Sequence, residues 1–309
     1  MKQLKTSLTV LCLSLLMAHV QAQDFVFRVL ASKGDNQMKT SGEEGAWKPI
    51  RTGERLQAGD ELKVAEDTYL GLVHHTGRTL EIKQAGHFHA DELSDRMKEG
   101  ENSVLGKYAS FLISKMNEEE EDMAKDYKKY QNATGAVKRA LSTATALKVL
   151  MPHTAEAMGP AVTVRWTEAD LPQPPAYLVT LKNKFSKTIK TLKTEEPFVM
   201  LDLSDSEYAG EELIIFDVRV AGKKRYRSEE YGIKKMSAEN INDIQEELNT
   251  IIKEGSSPSA MDYLLLASFF EEKNLLLDAI TAYEKTITLE PEVPEFKLLY
   301  SRFIKQQKF

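Results

Sequence analysis

Residues 263–291 read YLLLASFFEEKNLLLDAITAYEKTITLEP, and the C-terminal part of the chain is understood from this stretch outward. Two helices are predicted here, Ser259 to Glu272 and Leu275 to Thr288. Upstream, Ile241, Ile244, Leu248, Ile251 and Ile252 mark an amphipathic helix, and Gly255 and Pro258 close it. Downstream, a further helix lies around Glu295 to Ile304. The chain therefore reads as helical from Ser237 onward, over residues 237–309.

Within that stretch Tyr263, Leu266, Ala267, Phe270, Asp278, Ala279, Ile280, Tyr283 and Pro291 match the tetratricopeptide repeat in residue type and spacing, and the segment resembles one such repeat. Small residues at 267 and 279 would let the two helices approach closely. Phe270 and Tyr283 would fill the gap beside them, and Pro291 would stop the second helix. Thr286 departs from the pattern, where the family usually has Ala. One full repeat is recognisable and a solenoid needs about three, so the flanking helices must act as neighbours. The resemblance implies a partner-binding face on the first helix, including Asp262 and Glu272, that docks other envelope proteins. Ser268 and Thr281 should point away from the crossing, and a chain lacking Ser256 to Phe309 should keep its β-units folded.

Before the helices, residues 159–236 read as β. Val162, Val164 and Trp166 alternate, as do Tyr177, Val179 and Leu181, and Phe216, Val218 and Val220. Pro172, Pro174 and Pro175 fall between strands, where they disturb no ladder. The segment is similar to a fibronectin type III or immunoglobulin-like sandwich, with Trp166 between the sheets. Two basic runs, Lys182 to Lys193 and Lys223 to Arg227, read as solvent-facing edges protected by lysine, with an anionic glycan or lipid partner as the alternative that nothing in the sequence indicates.

Residues 23–100 also read as β, with strands at Phe25–Leu30, Tyr69–Val73 and Thr79–Ile82 and glycine turns between them. Trp47-Lys48-Pro49-Ile50, Gly53, Leu56, Gly59-Asp60, Leu70, Leu72 and Gly77 resemble a FecR-type domain, a small β-module of bacterial periplasmic proteins. The chain lacks the membrane helix and the cytoplasmic segment of the iron-uptake regulators, so the resemblance carries the module without the regulatory role. His74, His75, His87 and His89 cluster here. Strand parity turns His75, His87 and His89 outward, and a suitable pairing could gather them as nitrogen ligands for zinc, copper or nickel. Ordinary exposed histidines on a polar face fit the same residues.

Residues 101–158 form a helical connector in this reading. Leu105, Tyr108, Leu112, Met116, Met123, Tyr127 and Tyr130 recur at helical spacing, Gly135 breaks the run, and Val137 to Leu150 resumes it until Pro152. The acidic run Glu118 to Asp122 reads as a solvated face.

At the start, Lys2 and Lys5 precede an apolar run from Leu8 to Val20, and Val20-Gln21-Ala22 offers a cleavage point. Residues 1–22 are thus predicted as a signal peptide cut after Ala22, which places the protein in the periplasm or outside the cell. The apolar run is shorter than the roughly 20 residues that span a bilayer. Cys12 is the only cysteine and lies inside that run, so the mature chain is expected to carry no disulfide, thiolate or lipid anchor. The whole chain has 41 Lys+Arg against 47 Asp+Glu; losing Lys2 and Lys5 leaves 39 against 47, a net charge of −8. That balance argues against nucleic acid or an anionic membrane surface as the main partner. No Gly-x-Ser-x-Gly elbow, phosphate-binding loop or His-Glu-x-x-His motif occurs, and no cofactor is expected. The fold class expected is multidomain α+β: a small antiparallel β-domain, a helical connector, a β-sandwich and a helical tail. The function expected is a non-catalytic interaction scaffold of the bacterial envelope. A ligand- or metal-binding sensor is its rival.

Overall fold

The computed structural model describes residues 25–42, 45–97, 103–117, 147–252 and 257–309. The signal segment, Cys12, the acidic run and most of the connector's second helical pattern lie outside the described residues. Those described form a mixed α+β fold with several antiparallel sheets and six helices.

The first β-unit holds two four-stranded antiparallel sheets. One has the order β4 (Arg55–Gln57), β1 (Phe25–Lys33), β6 (Tyr69–His74), β7 (Thr79–Ile82). The other runs β3 (Lys48–Pro49), β2 (Asn36–Lys39), β5 (Glu61–Val64), β8 (Gly86–His89). Phe27, Val29, Leu70 and Leu72 of the first sheet share a core with Met38, Leu62 and Val64 of the second. The Gly59-Asp60 bend has a physical anchor: the buried Asp60 carboxylate accepts from Ser41 N at 3.0 Å and Gln57 N at 2.8 Å.

Every residue of β6 is buried, so the strand is covered on both faces. Leu70 and Leu72 face the partner sheet, whereas Tyr69 and Val73 belong to a second core shared with the helices. The β1–β6 register slips between Val29 and Ala31, and Leu30 and Ala31 both join that helical core.

The second β-unit has a five-stranded sheet, β12 (Thr188–Thr194), β11 (Tyr177–Lys182), β14 (Leu213–Val220), β15 (Tyr231–Lys235), β9 (Thr154–Ala157), facing a pair, β10 (Ala161–Arg165) and β13 (Phe198–Asp202). Trp166 is buried between them and meets the Tyr177 ring edge-on at 5.3 Å. The connector ends differently from the helix expected up to Leu150. Val149 bridges to Trp166, and β9 pairs with β15 in parallel, so this unit begins by Leu147 rather than at 159.

Helices α2 (Ser103–Asn117), α3 (Ala238–Ile251), α4 (Ala260–Glu272), α5 (Leu276–Leu289) and α6 (Pro294–Gln307) make one layer, and a short α1 (Ala90–Asp95) follows β8. Ser259 caps α4 through a reciprocal capping box with Asp262. Helix α4 packs on α5, α2, α3 and β7. It is apolar on nearly every side for that reason: Met261, Leu264, Leu265, Leu266, Ala267 and Phe269 are all buried. The α4–α5 hairpin thus has α2 and α3 as neighbours of α4 and α6 as a neighbour of α5.

Ala267, Ala279 and Tyr283 are fully buried at the crossing. Phe269 is too, against Tyr108 at 5.5 Å, whereas Phe270 and Tyr263 are half-buried on the flank. Pro291 stands exposed just past the end of α5. Ser268 corrects the reading that it points elsewhere: it is fully buried, and its hydroxyl donates to Leu264 O. Leu at Ser268 is therefore expected to cost about 1–3 kcal/mol by overpacking, as at Ala279. Urea unfolding of the two variants checks this, and a neutral Ser268→Leu would contradict it.

Candidate functional site

The helical layer is fastened to both β-units by acidic side chains in the first turns of its helices. Asp278, in the first turn of α5, accepts from Met158 N at 3.0 Å and Gly159 N at 2.7 Å, in the turn before β10. Glu295, in the first turn of α6, accepts from the Thr52 hydroxyl at 2.6 Å and Ser32 N at 3.4 Å, in the first β-unit. A carboxylate in that position also meets the positive end of the helix. Asp262 of α4 accepts from the Thr79 hydroxyl at 3.0 Å, and Glu81 accepts from Met261 N at 2.8 Å. Farther along α5, Thr281 Oγ1 accepts from Thr163 N at 2.7 Å. Glu284 takes Arg165 in a two-pronged ion pair whose Nη2 contact is 2.9 Å. Apolar contact follows the same lines, with Leu277 inside the second β-unit's core and Tyr69 edge-on to Phe296 at 5.7 Å.

Burial pushes the Asp278 carboxyl above the ordinary aspartate range, against the pull of the Met158 and Gly159 N–H groups. Burial likewise raises Glu295, opposed by the Thr52 hydroxyl. A raised folded-state value means that the protonated form favours folding. The stability Asp278 contributes is then full below its unfolded value of about 3.9 and is lost as pH rises through the folded value. The stability gap between the native chain and Asp278→Asn should accordingly be widest in acid and narrow toward neutral pH. Urea midpoints across that range test it, and a gap that widens with pH would contradict it.

The face expected to bind partners is occupied by the chain itself. Asp262 is engaged by Thr79 and Ser259, and Glu272 pairs with Lys107 of α2. Glu271 holds Lys115 of α2 and the Tyr283 hydroxyl.

His75, His87 and His89 are not brought together, although the His75 ring lies 4.1 Å from that of His74. His75 is exposed beside β6 in the first sheet, while His87 and His89 are exposed on β8 in the second. His87 lies opposite Lys63 with its ring edge-on to Trp47 at 5.7 Å, and His89 lies opposite Glu61. Among the described residues no group of three or more His, Cys, Asp or Glu is placed to hold a metal ion. His74, which parity turns inward, is buried with Nδ1 2.8 Å from Thr76 Oγ1 and Nε2 2.9 Å from Ser94 Oγ, pinning α1 to the β6–β7 turn.

Beside that turn a cavity of about 400 Å³ opens between the first β-unit and the helices. Arg78, Arg96 and Asp262 supply its charge, and Met97, Leu105 and Ile251 part of its apolar wall.

No protein-family model matches this chain, and no curated protein matches it. Among the described residues no helix is long and apolar enough to cross a membrane.

Sequence reading missed Arg165, Glu284, Thr281 and Glu295. Only Glu295 left a local signal, an acidic residue directly after Pro294 at a helix start.

Proposed function

We propose that the protein is a non-catalytic scaffold of the bacterial envelope, exported by cleavage after Ala22. Its helical layer holds two β-modules at a fixed separation so that their outer edges can engage other envelope proteins. In this reading the first unit is a FecR-type module and the second a fibronectin type III or immunoglobulin-like one. The helical hairpin is a tetratricopeptide-type unit whose neighbours come from the same chain. The observation carrying the proposal is that the helical layer packs on β1 and β6 of the first unit and sets Leu277 into the core of the second, while Glu295 and Asp278 each accept from backbone N–H groups of one unit. A tail built in this way acts as mortar and leaves recognition to the β-units. Phe185 and Met200 are exposed large apolar residues there. Benzoylphenylalanine at either position should crosslink to another envelope protein in intact cells. At Leu266, inside the hairpin, it should crosslink only within the chain. Products between chains from Leu266 alone would overturn the proposal.

The cavity beside Arg78 and Arg96 favours a second reading, a sensor of an amphiphilic anion. Anilinonaphthalene sulfonate, an apolar anion, should then bind at one site per chain, and Arg96→Glu should weaken it. Binding indifferent to Arg96→Glu removes this reading.

A further inference from the structure

The two basic runs of the sequence have different fates in the fold. In the first, Lys182 pairs with Asp217 and Glu230, and Lys190 with Asp205 and Glu207. Those two cations are neutralised inside the chain, whereas Lys184, Lys187 and Lys193 of the same run are exposed. In the second, Lys223, Lys224, Arg225 and Arg227 are exposed on the loop between β14 and β15, after a turn at Gly222 with φ of 73°. Among the described residues none of the four has an ion-pair partner, and Glu229, the next acid along the chain, turns to His153 at 3.4 Å.

The strand register extends this loop onto the sheet. Arg219 and Arg227 face each other across an antiparallel bridge, so their side chains share a face. Leu178 lies opposite Arg219 on one side and opposite Lys193 on the other. Both Arg219 and Lys193 are exposed. At about 4.8 Å between strands, Lys193 and Arg219 stand roughly 10 Å apart and Arg227 one strand farther. The result is a straight cationic row on the outer face of the five-stranded sheet, continued by the loop, in a chain of net charge −6.

We propose that this row binds an anionic polysaccharide, a narrow chain bearing carboxylate or sulfate groups that runs across the strands. A narrow polyanion lies close to the row alone, because charges beyond the Debye length of about 8 Å are screened from it. A lipid surface fits less well. Tyr226, the aromatic of the loop, packs on the interior, and exposed Phe185 lies at the opposite end of β11.

The test measures binding of the full chain to labelled heparin oligosaccharide and to polygalacturonate. Anionic-lipid vesicles and single-stranded DNA serve as alternatives. Both polysaccharides should bind, with affinity falling steeply between about 50 and 200 mM salt. Lys223→Gln/Lys224→Gln/Arg225→Gln should weaken binding by on the order of tenfold or more. Lys193→Gln/Arg219→Gln should weaken it as well. Lys184→Gln/Lys187→Gln, two exposed lysines at the far hairpin, should change it by less than about twofold. The proposal is overturned if neither polysaccharide binds, if the far pair weakens binding as much as the loop triple, or if vesicles or DNA bind more tightly than both.

Discussion

A chain that ends at Ile252 is expected to lose cooperative structure in its first β-unit instead of leaving two folded β-units behind. The deletion removes α4, α5 and α6, and with them the cover over Leu30, Ala31, Tyr69 and Val73. These residues lie on β1 and β6, the central strands of their sheet. Stripping one face of β6 turns a doubly covered strand into one with an open apolar side, which a small sheet cannot keep in water. The second unit loses Leu277 from its core, and Arg165 loses Glu284. An arginine packed over Phe198 at 4.7 Å and stripped of its carboxylate is a costly residue to keep. Dye binding and a poorly dispersed amide spectrum are expected from the shortened chain. Sharp, native-like resonances from both β-units would contradict this.

The second large effect is expected at Gly77. Its φ of +89° lies in the region that side-chain-bearing residues avoid. A Cβ there would also lie 2.2 Å from Gly106 N and 2.3 Å from Leu105 C, both backbone atoms of α2. Neither atom can swing aside as a side chain would, so α2 must leave the β6–β7 turn. Gly77→Val should cost at least about 3 kcal/mol, from positive-φ strain together with the displaced helix. Gly106→Ala is the informative counterpart. Its Cβ would meet only Thr76 O, at 3.9 Å, and Ala within a helix is favoured over Gly by up to about 1 kcal/mol. Denaturant midpoints should therefore move in opposite directions. Equal destabilisation by both changes would mean that α2 does not rest on this turn.

How much of this could be read from the sequence depended on the range of the interaction. Ser259 and Leu275, read as helix starts, occupy the N-cap positions of α4 and α5, Ser259 with a side-chain cap and Leu275 without one, and Thr79–Ile82 is a strand with the bounds expected. These features rest on contacts within a few residues. Trp166 between two sheets was likewise legible, because alternation over Val162 and Val164 fixes which way its ring points. Parity gave His75 an outward face, yet that face of β6 is buried under the helices, and His75 is exposed because it lies past the end of the strand. Nor does parity say which sheet a strand joins, so His87 and His89 were set beside a residue of the other sheet. Ser268 misled for a related reason. A serine on a helix reads as solvent-facing, and only the packing of α2 and α3 against α4 reveals that no solvent-facing side is left there. The ties through Asp278, Glu295 and Glu284 join residues more than a hundred positions apart, and local pattern, which at most marks Glu295 as an acid at a helix start, carries no trace of their partners.

A helical layer that joins the two β-units into one cooperative structure makes them unfold together. Scanning calorimetry of the chain decides this, by comparing the calorimetric enthalpy of unfolding with the van't Hoff enthalpy. A single transition in which the two agree is expected, and Asp278→Ala should shift that transition or split it. Two separated transitions in the unaltered chain, one for each β-unit, would contradict it.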